Sequence, residues 1–558
     1  MKKIYIFLTS ISLASALEFD IIGNTPASVG GAGVAYTKNS WAIHYNPALL
    51  GVNNNFNIAY SFGAGFGENN LAELTNIDYK NIQNFPKEIK NIMSSTSSNT
   101  KTSIMTRNTN TKNFENLGQI TVILSNMGNN GGIKNTENLK TYIDGVIGQS
   151  SDINQAIQNL KKSENLEKIN TIKQDLENAI TKTEQSGIDV SLIGSIISNI
   201  DVSKIPNLLE SINKSSGSGN IDFKELLTSI GGIKISSGVN QSLDKLINDY
   251  QIIINSTQNN DLKIHSNNGL VFHMPVGLGS LGIGMLANAN GFYNLKMDKQ
   301  YNKLIIQNES DYYEVSINNN SISLAPSDDS SYTSSSILNS NAKHNLNTDT
   351  LILIEVPIAY GIGISSFFGD LYLGASAKYI NATSIFQNQT FSLDNIKLNF
   401  NLKNHTKQTN TFGIDIGALY KISGFSVGMV GKNINTPKVD TSIGKFNLDK
   451  QLRAGIGLEF WRFTILADID IIPNTTLDPN KKNQMTGGGV IFDATYVDFR
   501  FGAMTDIKPN PYGIILTGGM NIFNFLDFSI QSSLKLKQID KYKMPNYLDI
   551  RVGGRFFF

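Results

Sequence analysis

Apolar and polar residues alternate strictly along many short stretches of this chain. In "QLRAGIGLEF", Leu452, Ala454, Ile456, Leu458 and Phe460 oppose Arg453, Gly455, Gly457 and Glu459. In "FTILADIDII", Phe463, Ile465, Ala467, Ile469 and Ile471 oppose Thr464, Asp468 and Asp470. In "VDFRFGAM", Val497, Phe499, Phe501 and Ala503 oppose Asp498, Arg500 and Gly502, and in the final "YLDIRVGGRFFF" Leu548, Ile550, Val552, Phe556 and Phe558 oppose Asp549, Arg551, Gly553 and Arg555. A period of two marks strands. One face of each is apolar and the other carries charge, the reverse of a soluble barrel with a greasy core. A lipid-facing exterior around a polar lumen produces this pattern directly.

Segments of this kind run over 56–67, 264–276, 281–297, 349–365, 371–384, 408–421, 425–433, 449–460, 462–472, 485–494, 497–507, 512–522, 525–536 and 547–558. They number fourteen, an even count. Tight connections follow the even-numbered strands ("GLGS" at 277, "FFGD" at 367, "SG" at 423, "TY" at 495), whereas those after odd-numbered strands are mostly long. Short periplasmic turns alternating with long outer loops are the rule for outer-membrane barrels, and this parity puts both termini in the periplasm. The expected fold is therefore an all-β transmembrane barrel of about fourteen antiparallel strands, with 264–558 holding all but the first and a long outer loop at 298–348.

Two stretches break the pattern. From about 140 to 256, inside the 68–263 connection, the period becomes helical: Ile153, Ala156, Ile157 and Leu160, then Leu166, Ile169, Ile172, Leu176, Ala179 and Ile180, then Leu243, Leu246, Ile247, Tyr250 and Ile254. These amphipathic helices are expected to pack on one another at the cell surface. Segments 68–139 and 299–348, rich in Asn, Ser and Thr, read as loops with little core of their own. The second stretch is residues 17–55, Gly-rich and nearly uncharged, directly before the first strand at 56–67. It is expected to fold into the lumen as a plug, with Gly30, Gly31 and Gly33 permitting close approach to the wall and Pro47 stiffening the turn after Asn46.

The first residues give the destination. Lys2 and Lys3 precede an apolar run from Ile4 to Leu13, and Ala14-Ser15-Ala16 has the form of a leader-peptidase site, so 1–16 reads as a signal peptide. The 558 residues contain no cysteine, which excludes a lipoprotein anchor, disulfides, thiolate metal sites and cysteine catalysis. With the two leader lysines removed, 47 basic against 46 acidic residues become 45 against 46, and no nucleic-acid footprint is indicated. The five histidines (His44, His265, His273, His344, His405) are scattered, without metal-ligand spacing, HExxH or GxSxG. No enzyme, cofactor or metal is expected. Charges assigned to the lumen have mixed sign: Glu355, Asp415, Glu459, Asp468, Asp470, Asp498, Asp527 and Asp549 face Lys378, Arg453, Arg500, Arg551 and Arg555. They are expected to pair and brace the wall and plug, since unpaired buried charge is costly.

Three resemblances add to this reading. The last strand, ending on Phe558, resembles the terminal signature by which the barrel-assembly machinery recognises outer-membrane proteins, and implies that machinery and outer-membrane lipid as partners. The block "GGAGVAYTKNSWAIHYNPALLG" resembles the plug of the FadL-type transporters of fatty acids and aromatic hydrocarbons, whose hallmark Asn-Pro-Ala matches Asn46, Pro47 and Ala48. "GKNINTP", "QLRAGIGLEF", "LADIDIIPN", "GGGVIFD", "FRFGAMTDI" and "YGIILTGGMNI" resemble the exported barrel family labelled after the conjugal-transfer protein TraF. A chain without cysteine does not share the redox chemistry of the thioredoxin-like TraF of the F plasmid. The resemblances imply plug-gated passive uptake of a small hydrophobic molecule. The alternative is an outer-membrane anchor that displays the helical insertion for cell contact, conjugal transfer or secretion.

Overall fold

The structure is a computed structural model that describes residues 19–557 apart from several segments, the longest at 85–118, 217–222 and 394–401. The expected signal peptide, the start of the expected plug at 17–18 and the terminal Phe558 lie outside the described residues.

The described residues close fourteen antiparallel strands into one barrel. In chain order these are β1 (Asn57–Asn69), β2 (Asp261–Val276), β3 (Gly279–Lys296), β4 (His344–Ser366), β5 (Gly369–Phe391), β6 (Thr406–Ile422) and β7 (Phe425–Lys432). They continue as β8 (Gln451–Phe460), β9 (Phe463–Asp470), β10 (Met485–Asp493), β11 (Val497–Asp506), β12 (Ile515–Ile522), β13 (Leu526–Ser533) and β14 (Tyr547–Phe557). Each pairs with its sequence neighbour, and β1 pairs with β14, Gly63 opposite Arg551, to complete the ring. Closure leaves no strand edge exposed to lipid, the condition for crossing a bilayer with strands.

The two-faced pattern sets the phase of every strand. Along β14 Asp549 is 0 % exposed, Ile550 52 %, Arg551 1 % and Val552 41 %. The apolar residues stand outside and the charges inside, as a lipid-facing barrel requires. Phe367, Phe368, Trp461, Tyr496 and Phe523 are exposed at the tight turns, where rings suit a membrane interface. On one side the wall continues past the bilayer: β4 and β5 have 23 residues each, against the roughly 9 to 11 needed to span.

Over the long-loop end sits a second folded body. Helices at Thr136–Ile147, Ile153–Leu160, Leu166–Gln185, Ser191–Asn199, Ile205–Ser215 and Gln241–Gln258 form where the helical period runs. Asn135 and Asp152 cap the first two by accepting from the N–H of Asn138 and Gln155. Leu139, Ile157, Leu160, Ile172, Leu176 and Leu209 meet in one core, while Leu166, counted on the apolar stripe, is exposed at its helix start.

Two expectations about the loops are corrected. A further helix, Gln119–Ser125, precedes the expected start at 140 and buries Ile120, Ile123 and Leu124. The 299–348 segment is not a coreless loop. Leu304–Asn308, Asp311–Asn318 and Ser321–Ser327 make a sheet with Ile233–Ser236 of the helical insertion. Their alternate residues Leu304, Ile306, Tyr313, Val315, Ile322 and Leu324 enter the same core as the helices. The period of two was present, but intervening Asn and Ser diluted it. The cap is thus one body built from two long connections.

Candidate functional site

Residues 19–52 lie inside the barrel, in the half bounded by the tight turns. Three short turns of helix order them: Asn24–Ser28, Ala42–Tyr45 and the 3-10 turn Pro47–Gly51. Asn46 explains the Asn-Pro-Ala sequence. Its Oδ1 accepts from the N–H of Ala48 and caps the last turn, and Pro47 occupies the first position, where a missing N–H costs nothing. Its Nδ2 donates to the carbonyls of Val34 at 3.0 Å and of Ala418 on β6 at 3.1 Å. One amide therefore caps a turn, ties the segment to itself and ties it to the wall. Ala48 is wholly buried.

Of the three glycines expected to approach the wall, Gly30 packs directly on the wall's backbone. Gly30, at φ +68°, lies where a Cβ would sit 2.3 Å from the carbonyl oxygen of Ala503. Gly31 faces Ile21, and Gly33 lies under the ring of Tyr45. The wall supplies most of the close approach. A Cβ on Gly374 would meet the carbonyl carbon of Pro47 at 2.3 Å, and one on Gly417 would meet Oδ1 of Asn46 at 1.9 Å. Sequence reasoning missed these glycines because a glycine in an alternating strand does not disclose what lies against it.

The lumen charges divide into two groups. Most form ion pairs: Arg453 Nε with Asp470 at 2.6 Å, and Arg500 with Asp498 and Asp527, each at 2.7 Å. Arg551 meets Asp549 at 2.8 Å, and Lys378 meets Glu355 and Asp415, each at 3.2 Å. Arg555 reaches Asp498 only at 3.9 Å, and Glu459 pairs with Lys38 of the lumenal segment at 3.4 Å. Asp468 is different. Its Oδ2 accepts from the backbone N–H of Gly33 at 2.8 Å and of Val34 at 3.0 Å, so it holds the segment. Thr517 and Gln531 hold the other end, Thr517 accepting from the N–H of Gly30 and donating to Ser28, and Gln531 donating to Ala27.

A cation absent from the sequence reading is Lys432, buried at the end of β7. It donates to Nδ1 of His44 at 3.1 Å, while Nε2 of that ring lies 2.7 Å from the carbonyl of Asp20. These partners suit a neutral imidazole protonated at Nε2. Lys432 and Arg453 also lie 4.6 and 4.0 Å from the ring centroid of Phe19. The inward phase of Lys432 in "GMVGK" was the available signal.

Above the segment, toward the long loops, the lumen contains a cavity of about 510 Å³. Phe19, Ile21 and Gly31 form its floor, Phe292, Met485, Met504 and Tyr547 contribute to its wall, and loops carrying Asn483 and Tyr512 reach over it. Asn46 does not line it. Among the described residues no group of three or more His, Asp or Glu side chains is placed to hold a metal ion.

The solved structures to which the chain is similar are remote in sequence. The toluene transporter TbuX of Ralstonia pickettii shares 11 % identity at a TM-score of 0.41, over 97 % of this chain and 100 % of that one. The deltaS2 mutant of the monoaromatic hydrocarbon channel TodX shares 9 % at 0.38 over 96 % and 98 %. The toluene transporter TodX of P. putida shares 12 % at 0.32 over 54 % and 86 %. No curated protein sequence matches the chain. Residues 134–470, more than half of the chain, match the profile of one family, from the helical cap through β9. The chain belongs to the family described as "F plasmid transfer operon, TraF, protein".

Proposed function

We propose that this protein is an outer-membrane channel for passive uptake of a small hydrophobic molecule, gated by the lumenal segment 19–52, with the cap on the cell surface. The observation that carries this reading is the cavity of about 510 Å³, within the usual range for small-ligand sites, lying between the outer loops and the segment. A molecule entering from outside would rest on Phe19 and wait for the segment to shift. The ties at Asp468, Asn46 and Thr517 are hydrogen bonds, individually modest and collectively enough to keep the gate closed at rest.

The test is uptake of radiolabelled toluene into proteoliposomes, with glucose as polar control. Toluene entry above that of empty vesicles, with glucose excluded, supports the channel; equal entry with and without protein rejects it. A second reading, an anchor that displays the cap, is favoured by the cap's own core across two connections. Loss of cell contact with unchanged uptake after removal of 70–260 and 299–343 would support it.

A further inference from the structure

We infer that the hairpin at 474–483 is an outer gate of the lumenal cavity, a strap across the barrel mouth fastened to the foot of the cap, so that the cap sets access to the cavity. This rests on the uptake reading and adds how entry to the same cavity is regulated.

The strap is the connection between β9 and β10. Asn474–Thr475 pairs with Lys482–Asn483, and Thr476, Lys481 and Asn483 line the cavity. In the closed ring β9 and β10 stand opposite β2 and β3. The hairpin reaches that far wall. Leu477 is wholly buried in one apolar cluster with Phe292 of β3 and with Leu351 and Leu353 of β4. Nζ of Lys481 lies 5.5 Å from the ring centroid of Phe292 and 2.8 Å from Oδ2 of Asp261, the first residue of β2. A chain rooted in one wall and fastened to the other bridges the mouth.

Asp261 is where the cap meets the barrel. The last cap helix, Gln241–Gln258, ends just before it, and Asn70, the first residue past β1, bridges to it. Asn260 ties this corner to β3, its side chain donating to the carbonyl of Leu295 and accepting from the N–H of Leu295, each at 2.6 Å. Asp261 is 3 % exposed, and its Oδ1 accepts from the hydroxyl of Tyr512, on the connection between β11 and β12, at 3.1 Å. One carboxylate at the foot of the cap therefore holds both loops that reach over the cavity.

A charge-assisted bond such as that of Lys481 is among the stronger single ties. A shift of the foot moves Asp261 away from Lys481 and Tyr512 together. Packed elements take discrete arrangements, so the strap is either seated or free. The coupling runs both ways: loosening the strap loosens the foot.

The test uses Met504→Cys, which places a single thiol in a chain without cysteine at a residue that lines the cavity and is 4 % exposed. Its labelling by a sulfonated maleimide, in the detergent-solubilised full chain, reads the fraction of molecules with the strap free. Lys481→Met and Leu477→Ala, each added to it, should speed labelling at least about tenfold, and Asp261→Ala by more. Lys481→Met added to Asp261→Ala should bring no further gain, because both remove one tie. Amide hydrogen exchange in Gln241–Gln258 should quicken in Lys481→Met, which a merely local loop contact would not produce. If Asp261→Ala gives no heat-modifiable barrel, the other two variants still decide. Faster labelling with unchanged exchange in that helix overturns the coupling to the cap. Unchanged labelling in Lys481→Met and Leu477→Ala, with toluene uptake by proteoliposomes intact, overturns the gate and leaves the channel standing. Faster labelling with no toluene uptake by any variant overturns the channel and supports the strap.

Discussion

Asp468 on the barrel wall accepts the backbone N–H of Gly33, at 2.8 Å, with the same oxygen that takes the N–H of Val34. A carboxylate that grips two amides of the lumenal segment is a latch. Bonds to a charged acceptor contribute about 1.5 to 3 kcal/mol each, so losing both in Asp468→Ala should weaken the closed state by about 3 kcal/mol or more, at least about a hundredfold in opening frequency. Planar-bilayer recordings read this directly. Asp468→Asn, which keeps one acceptor, should fall between; an Ala variant as quiet as the native chain would mean the segment is held elsewhere.

The wall glycines give a paired test. Gly519 faces inward, where a Cβ would meet Oγ of Ser28 at 2.1 Å, whereas the first atom that a Cβ on Gly518 would meet is 3.7 Å away. Gly519→Ala is expected to cost about 1 to 3 kcal/mol through overpacking, and Gly518→Ala to stay within about 0.5 kcal/mol. Thermal loss of the compact form on heat-modifiable gels separates them. Equal behaviour would show that the segment does not lie against β12 as described.

On the lipid face, Ile465, Phe499 and Ile550 are outward and exposed. Arginine at any of them near the bilayer midplane should cost about 2 to 4 kcal/mol, and Ile550→Leu should be nearly silent. Inward positions beside the segment are not the mild controls that a hollow lumen would offer. Ser426, 2 % exposed and donating to the carbonyl of Ala35 at 2.9 Å, has no room for arginine. Refolding yield into vesicles measures the series.

The cap should respond independently of the barrel. Leu176→Ala deletes a fully packed side chain and is expected to cost about 2 to 5 kcal/mol of cap stability while heat-modifiability persists. Protonation offers a second probe. The hydrogen bond from Lys161 holds Glu210 below the usual carboxylate range, so its ionised form favours the fold. That stability is present above the unfolded pKa and is lost as pH falls through the lowered folded value. At a partly exposed pair the effect is under about 1 kcal/mol, and Lys161→Met should reduce it, Lys214 at 3.5 Å remaining as the second cation beside Glu210. Protease resistance of the cap between neutral and acid pH reports both.

The barrel was readable because lipid outside and charge inside impose opposite demands on alternate residues. Ile550 and Arg551 therefore announce their faces from sequence alone. The cap helices were readable from Ile169, Ile172 and Leu176 for the same reason at a different period. The 304–327 sheet was not, because Asn and Ser between its buried residues imitate a loop, and its partner strand Ile233–Ser236 is some seventy residues upstream. Asp468 looked like every other inward carboxylate. Only the position of the backbone of Gly33 and Val34 distinguishes a latch from a brace, and strand periodicity carries no information on what fills the lumen. Lys432 shared the inward phase of the other lumen charges, yet its partner His44 comes from outside the barrel strands.

Conductance of the chain lacking residues 19–51 decides whether this segment closes the barrel. With the fourteen strands intact on heat-modifiable gels, the shortened protein should show steady single-channel conductance in planar bilayers well above that of the full chain. A folded barrel that remains as closed as the full chain would contradict the gate, and with it the proposal that uptake passes from the outer cavity through the lumen.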